Sequence, residues 1–127
     1  MCEKKILIAE DEPSLLKSLV FTLRRFHFQI VGIPDGIQAV EHLINPKNEA
    51  YDLFITDIQL PGLSGFEVID KMRAADVQIP ILVITAYGDQ KVLSEISRRN
   101  INGYLTKPFT MDDLLQRVLQ QFDNHCV

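Results

Sequence analysis

Five short apolar segments alternate along this chain with longer segments in which apolar residues recur every three or four positions. The short segments are nearly continuous in their apolar character, which is typical of strands that are buried on both faces of a sheet. Strand and helix in regular alternation predict an α/β fold, with a parallel sheet covered by helices on both sides. The predicted strands are residues 4–10, 28–33, 53–56, 81–85 and 104–106.

Helix boundaries are marked by residues that commonly begin or end helices. Pro13 lies where a first helix can start, and Asp35 can cap the second. The pair Asn45-Pro46 ends that second helix, while Thr110 with Asp113 resembles a capping box at the start of the last one. Apolar residues at helical spacing occupy 15–26, 37–44, 66–72, 92–96 and 114–122.

Composition limits the protein classes that the chain can belong to. A length of 127 residues, with 46% hydrophobic and 24% charged residues, predicts one globular domain over residues 1–127. The net charge of -4 provides no electrostatic basis for binding nucleic acid or an anionic membrane surface. The sequence contains no long apolar run, and its start, "MCEKK", has no signal-peptide core. We therefore expect a cytoplasmic protein.

Polar side chains follow four of the five predicted strands. Glu10 and Asp11 end the first strand, Asp57 follows the third, Thr85 ends the fourth and Lys107 follows the fifth. Ligands of open parallel sheets bind at the carboxyl ends of the strands. Carboxylates that meet there would repel one another, and a hard cation such as Mg²⁺ relieves that repulsion. Acids, a hydroxyl, an amine and a metal together suit phosphoryl transfer, in which a carboxylate can be the nucleophile.

Four sequence blocks, "ILIAEDE", "ITDIQLPGLSGFE", "ILVITAY" and "GYLTKPF", resemble the signature blocks of bacterial response-regulator receiver domains, including those of chemotaxis regulators. They occur in the family order, and the resemblance extends from about residue 4 to residue 122. It implies a single receiver domain with a flavodoxin-like (βα)5 fold. The expected sheet is doubly wound, with five parallel strands in the order 2-1-3-4-5.

The resemblance implies that Asp57 is the phosphoacceptor of a two-component phosphorelay. The donor would be a phosphohistidine of a sensor histidine kinase or of a histidine phosphotransfer protein. Mg²⁺ would be bound by Asp11 directly, by Glu10 through water, by Asp57, and by the backbone carbonyl of Gln59. Many family members have Asp where this chain has Glu10, so the metal shell is expected to differ slightly.

Other positions match residues that sense the phosphoryl group in this family. Thr85 and the backbone N–H of Ala86 would bind its oxygens, and Lys107 would pair with its charge. Pro108 matches a proline that follows a cis peptide bond. Tyr104 matches an aromatic residue that turns inward when the threonine moves, which would shift the face formed by the fourth helix, fifth strand and fifth helix.

That face would bind an output partner, which the sequence does not name. The module would be a switch that catalyses only its own phosphorylation and dephosphorylation, with no separate substrate. Gln59 and Tyr87 flank the expected path of attacking water, and a bulky Tyr87 is expected to lengthen the life of the acyl phosphate. The sequence fits both a stand-alone regulator and part of a longer regulator or hybrid kinase.

Two other functions compete with this interpretation. A phosphohydrolase of the haloacid-dehalogenase kind also uses an aspartyl nucleophile, but there the nucleophile ends the first strand and a second Asp follows two residues later. A pseudo-receiver would retain the fold without the chemistry, and the presence of every key residue type argues against it. Outside the site, Glu12 is interpreted as a helix-terminal charge, and the pair Arg98-Arg99 as part of a solvated face or of the docking face.

Overall fold

A computed structural model describes residues 4–45, 47, 50–86 and 88–122. Within these residues the chain forms five strands and five helices in strict alternation. The strands are β1 (Lys5–Ala9), β2 (Gln29–Ile33), β3 (Leu53–Asp57), β4 (Ile81–Thr85) and β5 (Gly103–Thr106). The helices are α1 (Pro13–Arg25), α2 (Gly36–Ile44), α3 (Gly65–Ala74), α4 (Gln90–Arg98) and α5 (Met111–Gln121).

The sheet confirms the predicted topology. Its strand order is β2-β1-β3-β4-β5, and every neighbouring pair is parallel. Strand β3 extends one residue further than predicted, because Asp57 pairs in register with Ile84 of β4. The central strands β1, β3 and β4 therefore end side by side at one edge of the sheet.

Side chains of successive strand residues point to opposite faces of the sheet and enter two separate hydrophobic clusters. On β1, Ile6 and Ile8 join one cluster, and Leu7 and Ala9 join the other. The first cluster packs under α1 and α5, and the second under α2, α3 and α4. Burial of each leucine or isoleucine side chain stabilises the fold by roughly 1.5–3 kcal/mol. None of the described helices has the length and apolar character needed to span a membrane.

The helix caps agree with the sequence at the positions that were recognised. Asp35 caps α2, and Thr110 with Asp113 forms a complete capping box at α5. A second capping box, between Ser64 and Glu67 at the start of α3, was not predicted. Helix α2 ends at Ile44 as expected, whereas Pro46, half of the predicted stop signal, lies outside the described residues.

The interpretation of Arg98-Arg99 as a solvated pair is wrong for Arg99. The Arg98 side chain is 64% exposed, but that of Arg99 is only 11% exposed. Its guanidinium donates to both carboxylate oxygens of Asp70 at 2.9 and 3.0 Å and to Glu95 at 2.6 Å. It also lies 4.5 Å from the ring centroid of Phe66. Arg99 thus joins the end of α4 to α3 through Asp70 and Phe66, which are distant in sequence.

Candidate functional site

The carboxyl edge of the sheet carries a cavity of about 230 Å³. It is formed by the ends of β1, β3 and β4 and by the segment that follows β5. All the predicted acids, together with Thr85 and Lys107, line it, so the structure brings these residues together. The lining is Glu10, Asp11, Glu12, Asp57, Ile58, Gln59, Thr85, Ala86, Val92 and Lys107.

Asp57 lies at the centre of the polar contacts in this cavity. The residue is 6% exposed, and its Oδ2 accepts a hydrogen bond of 2.7 Å from Lys107 Nζ. The same ammonium lies 3.4 Å from Glu10 Oε1. Glu10 is 1% exposed, so a single cation bridges two buried carboxyl groups. The ammonium thus lies between two carboxyl groups that would repel each other if both were ionised.

The protonation of Glu10 reflects this arrangement. Burial raises the pKa of Glu10 to about 7, and the neighbouring charge of Asp57 adds to the shift. The backbone N–H of Glu12, which donates to Glu10 Oε2 at 3.0 Å, and the charge of Lys107 oppose it. For Lys107, burial disfavours the ammonium, but the hydrogen bond and charge of Asp57 and the charge of Glu10 outweigh burial and raise its pKa.

Three carboxyl groups are positioned so that they could hold a metal ion. Glu10, Asp11 and Asp57 each offer one oxygen, and these oxygens lie within 4.8 Å of one another. Asp11 is exposed, while the other two are buried. Hard oxygen donors with one side open to solvent suit Mg²⁺, which retains several of its waters. The residues present therefore fit a magnesium ion.

The loop after β3 holds the Asp57 carboxylate in place. The backbone N–H of Gln59 donates to Asp57 Oδ1 at 3.1 Å, and that of Gly65 donates to the Ile58 carbonyl at 2.8 Å. A Cβ built at Gly65 would lie 2.3 Å from the Asp57 carbonyl oxygen, so only glycine fits there. Sequence analysis did not single out Gly65, although a glycine at the first position of a helix was a visible signal.

The ends of β4 and β5 close the other side of the cavity. Thr85 is 2% exposed, and its carbonyl accepts from the Lys107 backbone N–H at 2.8 Å. Ala86 is exposed and lines the cavity next to it. The peptide bond between Lys107 and Pro108 is cis, the isomer that the resemblance implies. Tyr104 does not line the cavity; it is 36% exposed on β5.

The remaining predicted residues fall in different places. Glu12 acts as the N-cap of α1, where its carboxylate accepts from the backbone N–H groups of Ser14 and Leu15, which confirms its interpretation as a helix-terminal charge. Tyr87 lies outside the described residues. Val92, in the first turn of α4, lines the cavity and was not predicted to do so, because in sequence it is one of the apolar positions of a helix.

Comparison with known proteins identifies the protein family that the chain matches. The family model described as the response regulator receiver domain matches residues 6–119. Among curated relatives, response regulator RppA of Synechocystis sp. is 38% identical over 114 residues, which are 90% of this chain and 48% of RppA. The chain spans less than half the length of several other curated relatives too, among them transcriptional regulators of Bacillus subtilis and Mycobacterium tuberculosis.

Two solved structures are similar over most of the chain. The receiver domain of the sensor histidine kinase PA1611 of Pseudomonas aeruginosa has a TM-score of 0.83 and 28% identity, and covers 94% of this chain and 98% of its own. Its structure has a magnesium ion coordinated in the active site cleft. Response regulator TrrA of Thermotoga maritima, in complex with Mg(2+)-BeF, has a TM-score of 0.79 and 30% identity, with 93% and 98% of the two chains covered.

Proposed function

Because this chain belongs to the response regulator receiver domain family, a family of two-component signalling switches, we propose that Asp57 is its phosphoacceptor. The donor is a phosphohistidine on a sensor histidine kinase or on a histidine phosphotransfer protein. Phosphorylation shifts an equilibrium between two conformations of the module and so controls an output partner. The module acts on itself and has no separate substrate.

One observation carries this proposal: the Asp57 carboxylate is buried, held by Lys107 at 2.7 Å, and within 4.8 Å of oxygens of Glu10 and Asp11. A carboxylate fixed in this way is oriented for attack and needs little reorganisation. The cavity beside it, about 230 Å³ and open on one side, has room for a phosphoryl group.

The transfer step conserves atoms and charge. A carboxylate oxygen of Asp57 forms a bond to phosphorus while the phosphorus–nitrogen bond of the donor breaks. The donor imidazole keeps the electron pair and takes a proton from solvent. Lys107 then exchanges its contact with a carboxylate oxygen for one with the transferred group, while Thr85 and the backbone N–H of Ala86 donate to phosphoryl oxygens.

A divalent cation, Mg²⁺, would neutralise the charge that develops on the phosphoryl oxygens. Asp11 and Asp57 would bind it directly, Glu10 would act through a water, and the backbone carbonyl of Gln59 would complete the protein ligands. The cluster of three carboxyl oxygens, one side of which faces solvent, supports this assignment.

The output signal travels through the ends of β4 and β5. When Thr85 moves toward the phosphoryl group, Tyr104 turns inward from its present exposed position and changes the face formed by α4, β5 and α5. An output protein or domain binds that face. The module is a single receiver domain over residues 1–127 that works in the cytoplasm, without direct contact to nucleic acid or membrane.

Gln59 and Tyr87 set the lifetime of the phosphorylated form, the role that the resemblance to receivers implies for these two positions. Gln59 is exposed at the cavity, which supports this role. Replacement Tyr87→Ala is expected to speed autodephosphorylation, and an unchanged decay rate of the labelled protein would remove Tyr87 from this role.

The proposal is tested by intact mass after incubation with Mg²⁺ and acetyl phosphate, for wild type and Asp57→Asn. Wild type is expected to gain one phosphoryl group that hydroxylamine removes, and the variant to gain none. Because some receivers accept a phosphoryl group only from their protein donor, beryllofluoride is also titrated in the presence of Mg²⁺. If neither reagent reacts at Asp57, the pseudo-receiver alternative is correct.

The phosphohydrolase alternative is weaker. In this fold Asp57 ends β3 rather than the first strand, and Gln59 occupies the place of the second Asp. Steady-state hydrolysis of phosphomonoesters, measured with the same protein, separates the two functions, because a receiver turns over only its own phosphoryl group.

A further inference from the structure

Four polar or charged side chains are buried among the described residues, and the phosphoryl site accounts for three of them. Those three, Glu10, Asp57 and Thr85, line the phosphoryl cavity. The fourth, Thr56, is 0% exposed and does not line it. A buried hydroxyl costs free energy unless a hydrogen bond compensates for the lost water. The hydroxyl of Thr56 therefore has a role other than contact with a phosphoryl group or a metal ion.

The packing around Thr56 would suit a valine equally well. Thr56 is paired in register with Ala9 of β1 and Val83 of β4, and both of these residues are apolar and buried. Valine has the same branched shape as threonine and a high preference for strands, and it has no hydroxyl to desolvate. Packing thus gives no reason for a hydroxyl at this position of the central strand.

The partner of the Thr56 hydroxyl is the backbone of the proposed phosphoacceptor. Thr56 Oγ1 donates a hydrogen bond of 2.8 Å to the Asp57 carbonyl. The N–H of the same peptide unit, that of Ile58, donates to the Ile84 carbonyl of β4 at 3.3 Å. Gly65 approaches the Asp57 carbonyl so closely that a Cβ would lie 2.3 Å from its oxygen. The peptide plane between Asp57 and Ile58 is therefore held at both of its polar ends.

The next peptide plane of the loop, between Ile58 and Gln59, contacts the Asp57 carboxylate. Its N–H, that of Gln59, donates to Asp57 Oδ1 at 3.1 Å. Its carbonyl, that of Ile58, accepts from the Gly65 N–H at 2.8 Å. Because the two planes share the Ile58 Cα, rotation of the first would displace the second. The N–H that orients the carboxylate would move with it.

We propose that Thr56 is a positioning residue for the phosphoacceptor. Its hydroxyl fixes the peptide plane that follows Asp57, and this plane in turn places the Gln59 N–H against the carboxylate that attacks phosphorus. Thr56 touches neither the phosphoryl group nor the metal and acts through the backbone. This inference rests on the proposed function and adds to it a residue behind the cavity wall.

The alternative is a purely structural role, in which the hydroxyl does no more than satisfy its own hydrogen bond. Two variants separate these roles. Thr56→Val keeps the shape of the side chain and loses the donor, whereas Thr56→Ser keeps the donor and loses one buried methyl group. Under a structural role, any change in rate should follow the loss of stability. Under a positioning role, the rate should follow the presence of the hydroxyl.

The test is phosphorylation of the full chain by acetyl phosphate at saturating MgCl₂, followed by intact mass. Thr56→Val is expected to lower the limiting rate at least about fivefold, because a small displacement of the attacking group slows the transfer. Thr56→Ser should restore the rate to within about twofold of wild type, since its hydroxyl can make the same bond. Urea midpoints of all variants give their stabilities.

Two further variants make the comparison independent of the Thr56 side chain. Gly65→Ala brings a Cβ against the same Asp57 carbonyl without changing Thr56, and it should also slow phosphorylation. Ile69→Val is the control, because it removes one buried methylene group of α3 away from that carbonyl. Its urea midpoint should fall while its rate of phosphorylation stays at that of wild type.

Three results would overturn the proposal. These are a wild-type rate in Thr56→Val, an equal loss of rate in Thr56→Ser and Thr56→Val, or a wild-type rate in Gly65→Ala. A wild-type chain that gains no phosphoryl group and binds no beryllofluoride would instead refute the proposed function itself, and the role of Thr56 with it.

Discussion

Glu10 and Asp57 are two buried carboxyl groups that share one cation, and this arrangement determines the chemistry of the phosphoryl site at the level of single residues. A buried carboxylate that loses its cation is costly to the fold. The Lys107 ammonium therefore has a structural role before any phosphoryl group arrives. In the proposed transfer it is already placed where the negative charge of the product would develop.

Glu10 should make the stability of the metal-free protein depend on pH. Its pKa is 4.5 as an ordinary glutamate and about 7 in the fold. Between those values the native state binds more protons than the unfolded state, so the free energy of unfolding falls as pH rises through this window. The full shift in the pKa of Glu10 corresponds to a decrease in the free energy of unfolding on the order of 3 kcal/mol. Urea unfolding in EDTA, from about pH 5 to pH 8, measures it.

Glu10→Gln is the matched control for this pH dependence, because the amide has nearly the same shape and does not titrate. Its free energy of unfolding should fall less with rising pH than that of wild type. Equal slopes for the two proteins would contradict the assignment of the pH dependence to Glu10.

At the level of elements, Arg99 fixes the position of α4 against α3. Helix α4 lies on the face that is proposed to change on phosphorylation, and Ile96, 6% exposed, is the one buried residue among its described residues. The contacts of Arg99 with Asp70 and Phe66, both of α3, therefore add to the attachment of α4. Loss of these contacts should loosen the helix without disturbing the sheet.

Arg99→Gln and Arg98→Gln make a matched pair of variants. Arg99→Gln removes a bidentate ion pair and a cation–π contact and should lower the free energy of unfolding by about 1–2 kcal/mol. Arg98 makes one exposed ion pair with Glu95, so its replacement should cost less than about 0.5 kcal/mol. Chemical unfolding gives both values, and amide hydrogen exchange should show faster opening of α4 in Arg99→Gln alone. Equal effects would mean that Arg99 does not clamp α4.

For the whole molecule, the alternation of apolar segments was sufficient to predict a parallel sheet, and the strand ends were sufficient to predict which side chains meet. Asp57, Thr85 and Lys107 come together because parallel strands place their carboxyl ends at one edge. Contacts between residues distant in sequence could not be read in this way. Arg99 meets Asp70 on another helix, and Gly65 is required because a helix start approaches the Asp57 carbonyl.

The protonation state of Glu10 could not be predicted from the sequence either. Its pKa depends on burial and on the distance to charges from other strands, which only the fold determines. Sequence placed Glu10 in the site correctly. Only the packed fold leaves Glu10 1% exposed to solvent and places the Lys107 ammonium 3.4 Å from its carboxyl group. The residue types of such a site are thus predictable, whereas their charge states are not.

Mg²⁺ should stabilise the whole domain, since the three carboxyl groups that could hold it lie after β1 and at the end of β3 and meet only in the folded chain. A ligand that binds the native state alone adds RT ln(1 + [L]/Kd) to the free energy of unfolding. At a hundredfold excess over Kd the gain is about 2.7 kcal/mol. Urea midpoints measured across a MgCl₂ series should therefore rise and follow a single-site curve.

Asp11→Asn is the control variant for this effect, because Asp11 is exposed and its replacement leaves the buried pair of Glu10 and Asp57 unchanged. The variant should gain much less stability from MgCl₂, and KCl at the same ionic strength should not reproduce the wild-type gain. If KCl raised the midpoint equally, the effect would be charge screening rather than binding. If Asp11→Asn responded like wild type, the cation would be held elsewhere, and the carboxylate cluster would not be its site.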